Sequence, residues 1–168
     1  MNNERSHHGP KRVLIVCTGN ICRSPMAEGI LRHQLAQDGL SAEMEVRSAG
    51  TWGLDGARAS CHARQVLAER GVNIDGHIAR SLQPDDVKQA DLIVVMEQDH
   101  RVAIQTGQPT ALGKVFLLTE LAQREGDVKD PYGQSRQAYA ECAELLHVLL
   151  AQGYAAILDL LDVRLVDG

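Results

Sequence analysis

The stretch that decides the fold runs from Val13 to Pro25 and reads VLIVCTGNICRSP. Its first four residues are apolar without a break, which is typical of a strand buried on both faces of a parallel sheet. Ser24 and Pro25 then favour the start of a helix, because serine is a common helix cap and proline fits the first turn. The stretch therefore predicts a strand, a loop and a helix in direct succession.

The same alternation continues along the chain. Further strands are predicted at 43–48, 92–96 and 114–118, and further helices at 60–70, 85–90, 99–105 and 134–152. The pattern leaves open whether residues 155–161 extend the last helix past Gly153. Because the strands alternate with helices and are mostly apolar on both faces, they predict a parallel sheet covered on both sides. We expect one three-layer α/β domain, with a four-stranded parallel sheet flanked by about five helices.

Length and composition fit a single globular domain. The chain has 168 residues, of which 44% are hydrophobic and 23% charged, which excludes a disordered chain or a fibrous repeat. Its net charge of −5 argues against a nucleic-acid partner or a membrane surface. We expect a flexible polar tail at 1–11 and one domain at 12–168. The start of the chain has no apolar segment, so cytoplasmic residence is the expectation.

The four cysteines, at positions 17, 22, 61 and 142, are too few and too unevenly spaced for a disulfide framework or a zinc site. No metal and no cofactor is therefore expected. Cys61 and Cys142 fall on predicted helices and are expected to be core residues.

The segment 17–23, CTGNICR, carries the chemistry. Cys17 ends a buried strand, which is where open α/β sheets bind ligands. The loop that follows can turn its backbone N–H groups inward and, with the helix N-terminus, bind a tetrahedral oxyanion. Arg23 can hold two of the oxygens at once, and the same positive field favours a thiolate on Cys17, placed for attack on phosphorus. We therefore expect a phosphate-binding loop after the first strand, whose substrate-binding residues are Thr18, Gly19, Asn20, Ile21 and Cys22. The alternative, Cys17 as a small apolar residue at a strand end, fits this context less well.

A leaving alcohol or phenol needs a proton, and Asp130 in the segment DPYG is the candidate donor. Pro131 stiffens this loop, which would hold the carboxyl group in place. An ordinary Asp-Pro turn explains the spacing equally well, so the residues alone leave the two interpretations open.

Three segments together resemble the low-molecular-weight protein tyrosine phosphatases of bacterial type: VLIVCTGNICRSPMAEGIL from Val13, SAGT at 48–51 and DPYG at 130–133. The similarity extends to about Gln152. It implies a four-stranded parallel sheet flanked by helices and a metal-independent hydrolysis of phosphotyrosine in proteins, with inorganic phosphate as product. By the same resemblance Cys17 is the nucleophile, Arg23 binds the phosphate and Asp130 is the general acid.

The resemblance also assigns a supporting set of residues. Asn20 would hold the loop in its strained shape, with Ser48 and His77 hydrogen-bonded to it, and Ser24 would hydrogen-bond the thiolate. Without the resemblance, His77 would be interpreted as a surface histidine. Cys22 would form a disulfide with the nucleophile under oxidation and so protect it, the alternative being simple packing under the loop.

Two aromatic residues are candidates for a slot that accepts a flat ring. Trp52 is the only tryptophan and lies in a polar, glycine-rich loop, and Tyr132 would form the opposite wall. The loop from Trp52 to Ser60 lacks the proline-aspartate pair usual in this family, and Glu97 stands where many relatives have aspartate. We expect these departures to affect the wall of the cleft and not the chemistry.

Three alternatives are weighed against this interpretation. Protein arginine phosphatases of the same family carry threonine where this chain has Ile21, whose bulk favours an aromatic substrate. An arsenate reductase needs two further cysteines in a mobile segment, which Cys61 and Cys142 do not provide. A phosphate-binding module needs neither a thiolate nor an acid. By the same resemblance, a tyrosine kinase linked to polysaccharide export is a common partner of bacterial relatives, and a secreted role in host interaction is another. The sequence does not choose between these two roles and does not give the oligomeric state.

Overall fold

The computed structural model describes residues 9–165 and contains four parallel strands between two layers of helices. The strands are β1 Lys11–Cys17, β2 Met44–Gly50, β3 Leu92–Val95 and β4 Val115–Leu117. They lie in the order β2-β1-β3-β4, so the strand that carries Cys17 at its end is central. The predicted α/β class and the four-stranded parallel sheet are confirmed. Of the predicted tail, residues 1–8 lie outside the described residues.

The helices are α1 Arg23–Gln37, α2 Cys61–Ala68, α3 Pro84–Gln89, α4 Gln98–Gly107, α5 Leu118–Leu121 and α6 Arg136–Leu160, with a 3-10 helix at Pro109–Lys114. The sequence pattern missed α5, whose four residues are too few to show a helical period, and it missed the 3-10 helix, whose three residues per turn differ from the period of an α-helix. Helix α6 runs through Gly153 without a break, which answers the question that the pattern left open. A side chain there would come within 3.1 Å of Leu121, so glycine lets α5 approach.

Strand β1 divides its side chains between two cores. Val13, Ile15 and Cys17 face the larger core, to which α1, α2 and α6 contribute. Leu14 and Val16 face the smaller core under α3 and α4. Because side chains alternate along a strand, this register turns Cys17 towards α1, the helix that begins six residues later.

Helix α6 is long and apolar enough, by length and composition alone, to cross a membrane. In the fold it packs against α1, α2 and α5, and it buries one face that includes Tyr139, Leu146 and Ile157. This is the arrangement of a core helix, which passes the same test of length and hydropathy.

Two predictions about single residues are wrong. Ser24 is not the cap of α1: the cap position is Cys22, and Ser24 lies in the first turn with its hydroxyl group bonded elsewhere. Cys61 is not a core residue: it is the first residue of α2 and lies on the exposed side. Cys142 is buried as expected.

Candidate active site

In the loop between β1 and α1, residues 18–22, the backbone carbonyl groups point outward. The carbonyls of residues 17–21 accept hydrogen bonds from surrounding segments, the donors being Thr51 N, Trp52 N, Leu54 N, His77 Nε2 and Ser60 N. Within residues 9–165 the N–H groups of residues 18–22 donate to no protein acceptor. A loop with its carbonyls bonded outside and its amides free at the helix N-terminus is an anion-binding nest.

Asn20 holds the loop in this shape. Its φ of 58° places a non-glycine residue in the left-handed region, which costs free energy unless the surroundings compensate. Its buried amide makes three hydrogen bonds: Nδ2 donates to Ser24 Oγ (2.8 Å) and Ser48 Oγ (2.9 Å), and Oδ1 accepts from Arg80 N (3.0 Å). Since a backbone N–H can only donate, the Arg80 contact determines which amide atom is oxygen.

The same network gives a direction to the hydrogen bond at Cys17. Cys17 is 2% exposed, and its Sγ lies 2.9 Å from Ser24 Oγ. Because Ser24 Oγ already accepts from Asn20, its own proton is available to the sulfur. A donor at this position stabilises the thiolate form.

Behind Asn20 lies a buried carboxylate that sequence reasoning missed. Glu28, 8% exposed on α1, accepts from Ser48 Oγ (2.5 Å) and pairs with Arg32 (2.8 Å). His77 Nε2 donates to the Asn20 carbonyl (2.7 Å), and its other nitrogen lies 3.8 Å from Glu28. The only signal in the sequence was a glutamate within the apolar stripe of α1, where a charge is costly unless paired.

Arg23 is buried, with a side chain 1% exposed, and connects three segments. Nη1 lies 2.8 Å from Glu97 and donates to the Val128 carbonyl (2.7 Å), while Nη2 lies 3.4 Å from Asp130. The buried Nε has no partner among the described residues. A buried guanidinium with a spare donor is suited to a further anion, such as a phosphoryl group.

The cleft over the loop has a volume of about 230 Å³. Trp52 and Tyr132, 79% and 63% exposed, both line it, together with Ile21 and Leu54. Asp130 lies at its edge, and its Oδ1 accepts from Tyr132 N (3.1 Å), which orients the carboxylate. The structure thus brings together the two aromatic residues and the candidate acid over Cys17.

Two further residues of the site come from the segment after β3. Glu97 contacts Arg23, so the expectation that it shapes only the wall is wrong. His100, 3% exposed, lies 2.9 Å from the hydroxyl of Thr18. The sequence did contain a signal for these two residues. Both follow the carboxyl end of β3, which lies beside β1 where the strand order of the sheet reverses, and ligands bind at such a point.

Cys22 lies under the loop, away from solvent. Its Sγ is 3.2 Å from Tyr139 Oη and 3.8 Å from Ser60 Oγ. Burial raises the pKa of the Cys22 thiol and raises the pKa of Tyr139 to about 12, so both groups stay protonated at neutral pH. All four cysteines are free in this structure.

A larger hollow of about 640 Å³ lies on the other side of the Glu28 network, between α1 and residues 72–80. It shares Ser48, Glu28 and His77 with the site, but no cysteine is among its lining residues. No group of three or more metal-binding side chains is found in the part of the chain that the structure describes.

Comparison with known proteins gives a consistent result. The family model described as low molecular weight phosphotyrosine protein phosphatase matches residues 12–159. The protein named "Probable low molecular weight protein-tyrosine-phosphatase EpsP" of Ralstonia nicotianae is 41% identical over 136 residues, covering 81% of this chain and 88% of its own. The crystal structure of the low molecular weight protein tyrosine phosphatase from T. tengcongensis is 40% identical, with a TM-score of 0.81, covering 87% of this chain and 99% of its own.

The matches also include an enzyme with a different phosphoamino acid in its name. The protein-arginine-phosphatase of Geobacillus stearothermophilus is 34% identical over 142 residues, covering 84% of this chain and 92% of its own. Similarity over the whole chain therefore does not separate the two substrates.

Proposed function

The chain belongs to the low molecular weight phosphotyrosine protein phosphatase family, and from this membership we propose that it hydrolyses phosphotyrosine in proteins through a cysteinyl-phosphate intermediate. The observation that carries the proposal is the free N–H nest between a buried Cys17 and a buried Arg23, with Asp130 opposite. It supplies a nucleophile, an anion site and an acid within one cleft.

In the first step the Cys17 thiolate attacks phosphorus, and the bond from phosphorus to the phenolic oxygen breaks. Asp130 gives its proton to that oxygen, so tyrosine leaves neutral. The loop amides and Arg23 stabilise the charge on the three equatorial oxygens, which is where the transition state needs it. For this, Arg23 exchanges part of its contact with Asp130 for the phosphoryl group.

In the second step water attacks phosphorus and the phosphorus–sulfur bond breaks. Asp130, now ionised, takes a proton from the water, and Cys17 returns as a thiolate stabilised by Ser24. Inorganic phosphate leaves. The attacking electron pair comes from the thiolate in the first step and from water in the second, so neither step requires a metal ion or a redox partner.

The cleft favours an aromatic leaving group. Trp52 and Tyr132 offer two ring faces, and the apolar side chains of Ile21 and Leu54 complete the walls. A phenyl ring between aromatic faces gains stacking and apolar burial, whereas a charged guanidinium group would lose water against Ile21. The partner we propose is a phosphotyrosine protein of the cytoplasm, and a bacterial tyrosine kinase is one such substrate.

The test is an assay with EDTA and reductant on phosphotyrosine, phosphoarginine and phosphoserine peptides. We expect turnover of phosphotyrosine, inhibition by vanadate, and loss of turnover in Cys17→Ser with retention of phosphate binding. A matched variant, Ile21→Thr, should shift the preference towards phosphoarginine. A wild-type preference for phosphoarginine would overturn the substrate but keep the mechanism, and binding without turnover would overturn the enzyme.

A further inference from the structure

A buried histidine next to the phosphate loop remains unexplained by the proposed mechanism. His100 lies in the first turn of α4, and its ring is held from both sides. Nδ1 accepts from the backbone N–H of Glu97 at 3.1 Å, and Nε2 lies 2.9 Å from Thr18 Oγ1. Thr18 directly follows the nucleophile in the chain.

These contacts determine the tautomer. A backbone N–H can only donate, so Nδ1 is the acceptor and the proton of the neutral ring is on Nε2. Nε2–H therefore donates to the Thr18 hydroxyl. An imidazolium would have no acceptor for the Glu97 N–H and would add a second cation beside Arg23. Burial, and after it the charge of Arg23, lower the pKa of His100, which agrees with a neutral ring.

The second contact of this turn leads to Arg23. The bond from Glu97 N to His100 closes the first turn of α4, and the Glu97 side chain on that turn lies 2.8 Å from Arg23 Nη1. Arg23 Nη2 in turn lies 3.4 Å from the same Thr18 hydroxyl. One imidazole therefore connects the residue after the nucleophile with the residue that orients the arginine.

We propose that His100 is a positioning residue of the phosphatase reaction: its Nε2–H holds Thr18 beside the nucleophile, and its Nδ1 holds the turn that aims Glu97 at Arg23. The inference rests on the proposed function. The nest and the guanidinium must both be in place before substrate arrives, because an amide that is misplaced by a fraction of an ångström stabilises the transition state poorly.

Two variants separate this role from simple packing. In His100→Asn the amide oxygen can still accept from Glu97 N, but the side chain is too short to reach Thr18. Thr18→Val removes the other partner of the same bond and keeps the shape of the side chain. His147→Asn, an exposed histidine on α6, is the matched control.

The assay compares kcat and KM on a phosphotyrosine peptide, with rates divided by the concentration of sites that bind vanadate, so unfolded protein does not count. We expect a fall of about tenfold in kcat/KM, mainly in kcat, for each single variant, which is the effect of one well-placed hydrogen bond. The kcat/KM of the double variant should be no lower than that of the less active single variant, because both changes remove the same hydrogen bond. The kcat/KM of His147→Asn should match that of the wild type.

The second measurement is the ¹⁵N spectrum of the histidine rings at neutral pH, with the His100 signals assigned by their loss in His100→Asn. A neutral ring protonated on Nε2 is expected. Wild-type kinetics in both single variants, losses that multiply in the double variant, or a ring that is protonated on Nδ1 or charged would each overturn the inference. A wild-type protein without turnover would overturn the proposed function, and the inference with it, before any variant is compared.

Discussion

Arg23 is a buried cation of the site and contacts carboxylates from two segments. Its guanidinium is almost fully buried and is compensated by Glu97 at 2.8 Å and Asp130 at 3.4 Å. A buried charge is tolerated only when it is paired, and here one of the partners is also the proposed acid. The charge of Arg23 is therefore already compensated before substrate binds, and an incoming phosphoryl group must replace part of that pairing.

The balance at Arg23 predicts the effect of Glu97→Gln. Without the carboxylate charge, the free energy of unfolding should fall by about 1–2 kcal/mol, less than for a fully buried pair because Glu97 is partly exposed. Inorganic phosphate should inhibit more strongly, because Arg23 loses a competing anion. Thermal unfolding measures the loss of stability, and inhibition of p-nitrophenyl phosphate turnover by inorganic phosphate measures the second effect; Glu97→Asp, which keeps the charge, is the control. Unchanged inhibition by phosphate would contradict this account of Glu97.

Asp130→Ala tests the proton donor. Phenyl phosphate has a poor leaving group, and its kcat should fall about 100-fold, whereas p-nitrophenyl phosphate, which needs little protonation, should lose about tenfold or less. Steady-state rates on the two substrates give the comparison. Equal losses on both would remove Asp130 from the role of acid.

Cys22→Ser tests the redox hypothesis. Cys22 ends the loop that follows Cys17, and burial raises the pKa of its thiol, so Cys17 is the cysteine that peroxide is expected to oxidise, to a sulfenic acid. The Cys22 sulfur then attacks that sulfur: the S–S bond forms, the S–O bond breaks, and the Cys22 proton leaves with the hydroxide as water. The variant should keep its activity before oxidation but recover less after peroxide and then reductant. Recovery equal to that of the wild type would reduce Cys22 to a packing residue, and Cys61→Ser, on the exposed end of α2, is the control.

The end of strand β2 determines how much room the loop after β1 has. It ends at Gly50, in register with Cys17 at the end of β1. A Cβ at Gly50 would lie 2.2 Å from the carbonyl oxygen of Thr18, which no real contact allows. The motif SAGT thus combines two functions: Ser48 bonds Asn20, and Gly50 leaves room for the loop itself.

From this follows a prediction for Gly50→Ala. The loop must move away from β2, so the free energy of unfolding should fall by about 1–3 kcal/mol. The value of kcat/KM should fall by at least about tenfold, because the amide nest is displaced. Gly76→Ala, where an added methyl group meets nothing within 4 Å, should leave both unchanged. Denaturant unfolding and turnover of p-nitrophenyl phosphate measure the two effects; full activity in Gly50→Ala would show that the loop adapts.

For the whole molecule, the buried neutral His100 links stability to pH. Its pKa is lowered by burial and by Arg23, against the smaller raising effects of Glu97, Asp127 and Asp99. The unfolded chain then binds a proton at a higher pH than the folded chain. This contribution to stability is present above the ordinary histidine value of about 6.5 and is lost as the pH falls through the lower folded value.

The expected outcome is a difference between two stability curves. Wild-type protein should lose free energy of unfolding as the pH falls below about 6.5, and His100→Asn should lose less over the same range. Urea unfolding at a series of pH values gives both curves, with His147→Asn as the control. Parallel curves for wild type and His100→Asn would show that His100 does not titrate differently in the two states.

Much of this protein could be predicted from local patterns. The run VLIVCTGNICRSP determined a buried strand, a loop and a helix, because hydrophobic period, glycine and proline act over a few residues. Together with the alternation of later strands and helices, this run determined the parallel sheet. Together with the motifs SAGT and DPYG, it indicated residues that the fold places around one cleft.

The partners of those residues depend on contacts between distant segments, and no local pattern contains them. Glu28, Glu97 and His100 acquire their roles because α1 and the end of β3 are packed against the loop, at separations of up to 82 positions for His100 and Thr18. A charged or polar side chain must be paired or hydrogen-bonded only when it is buried, and burial is a property of the packed fold. The sequence supplied the reacting groups, whereas tertiary packing decided how they are charged, oriented and held.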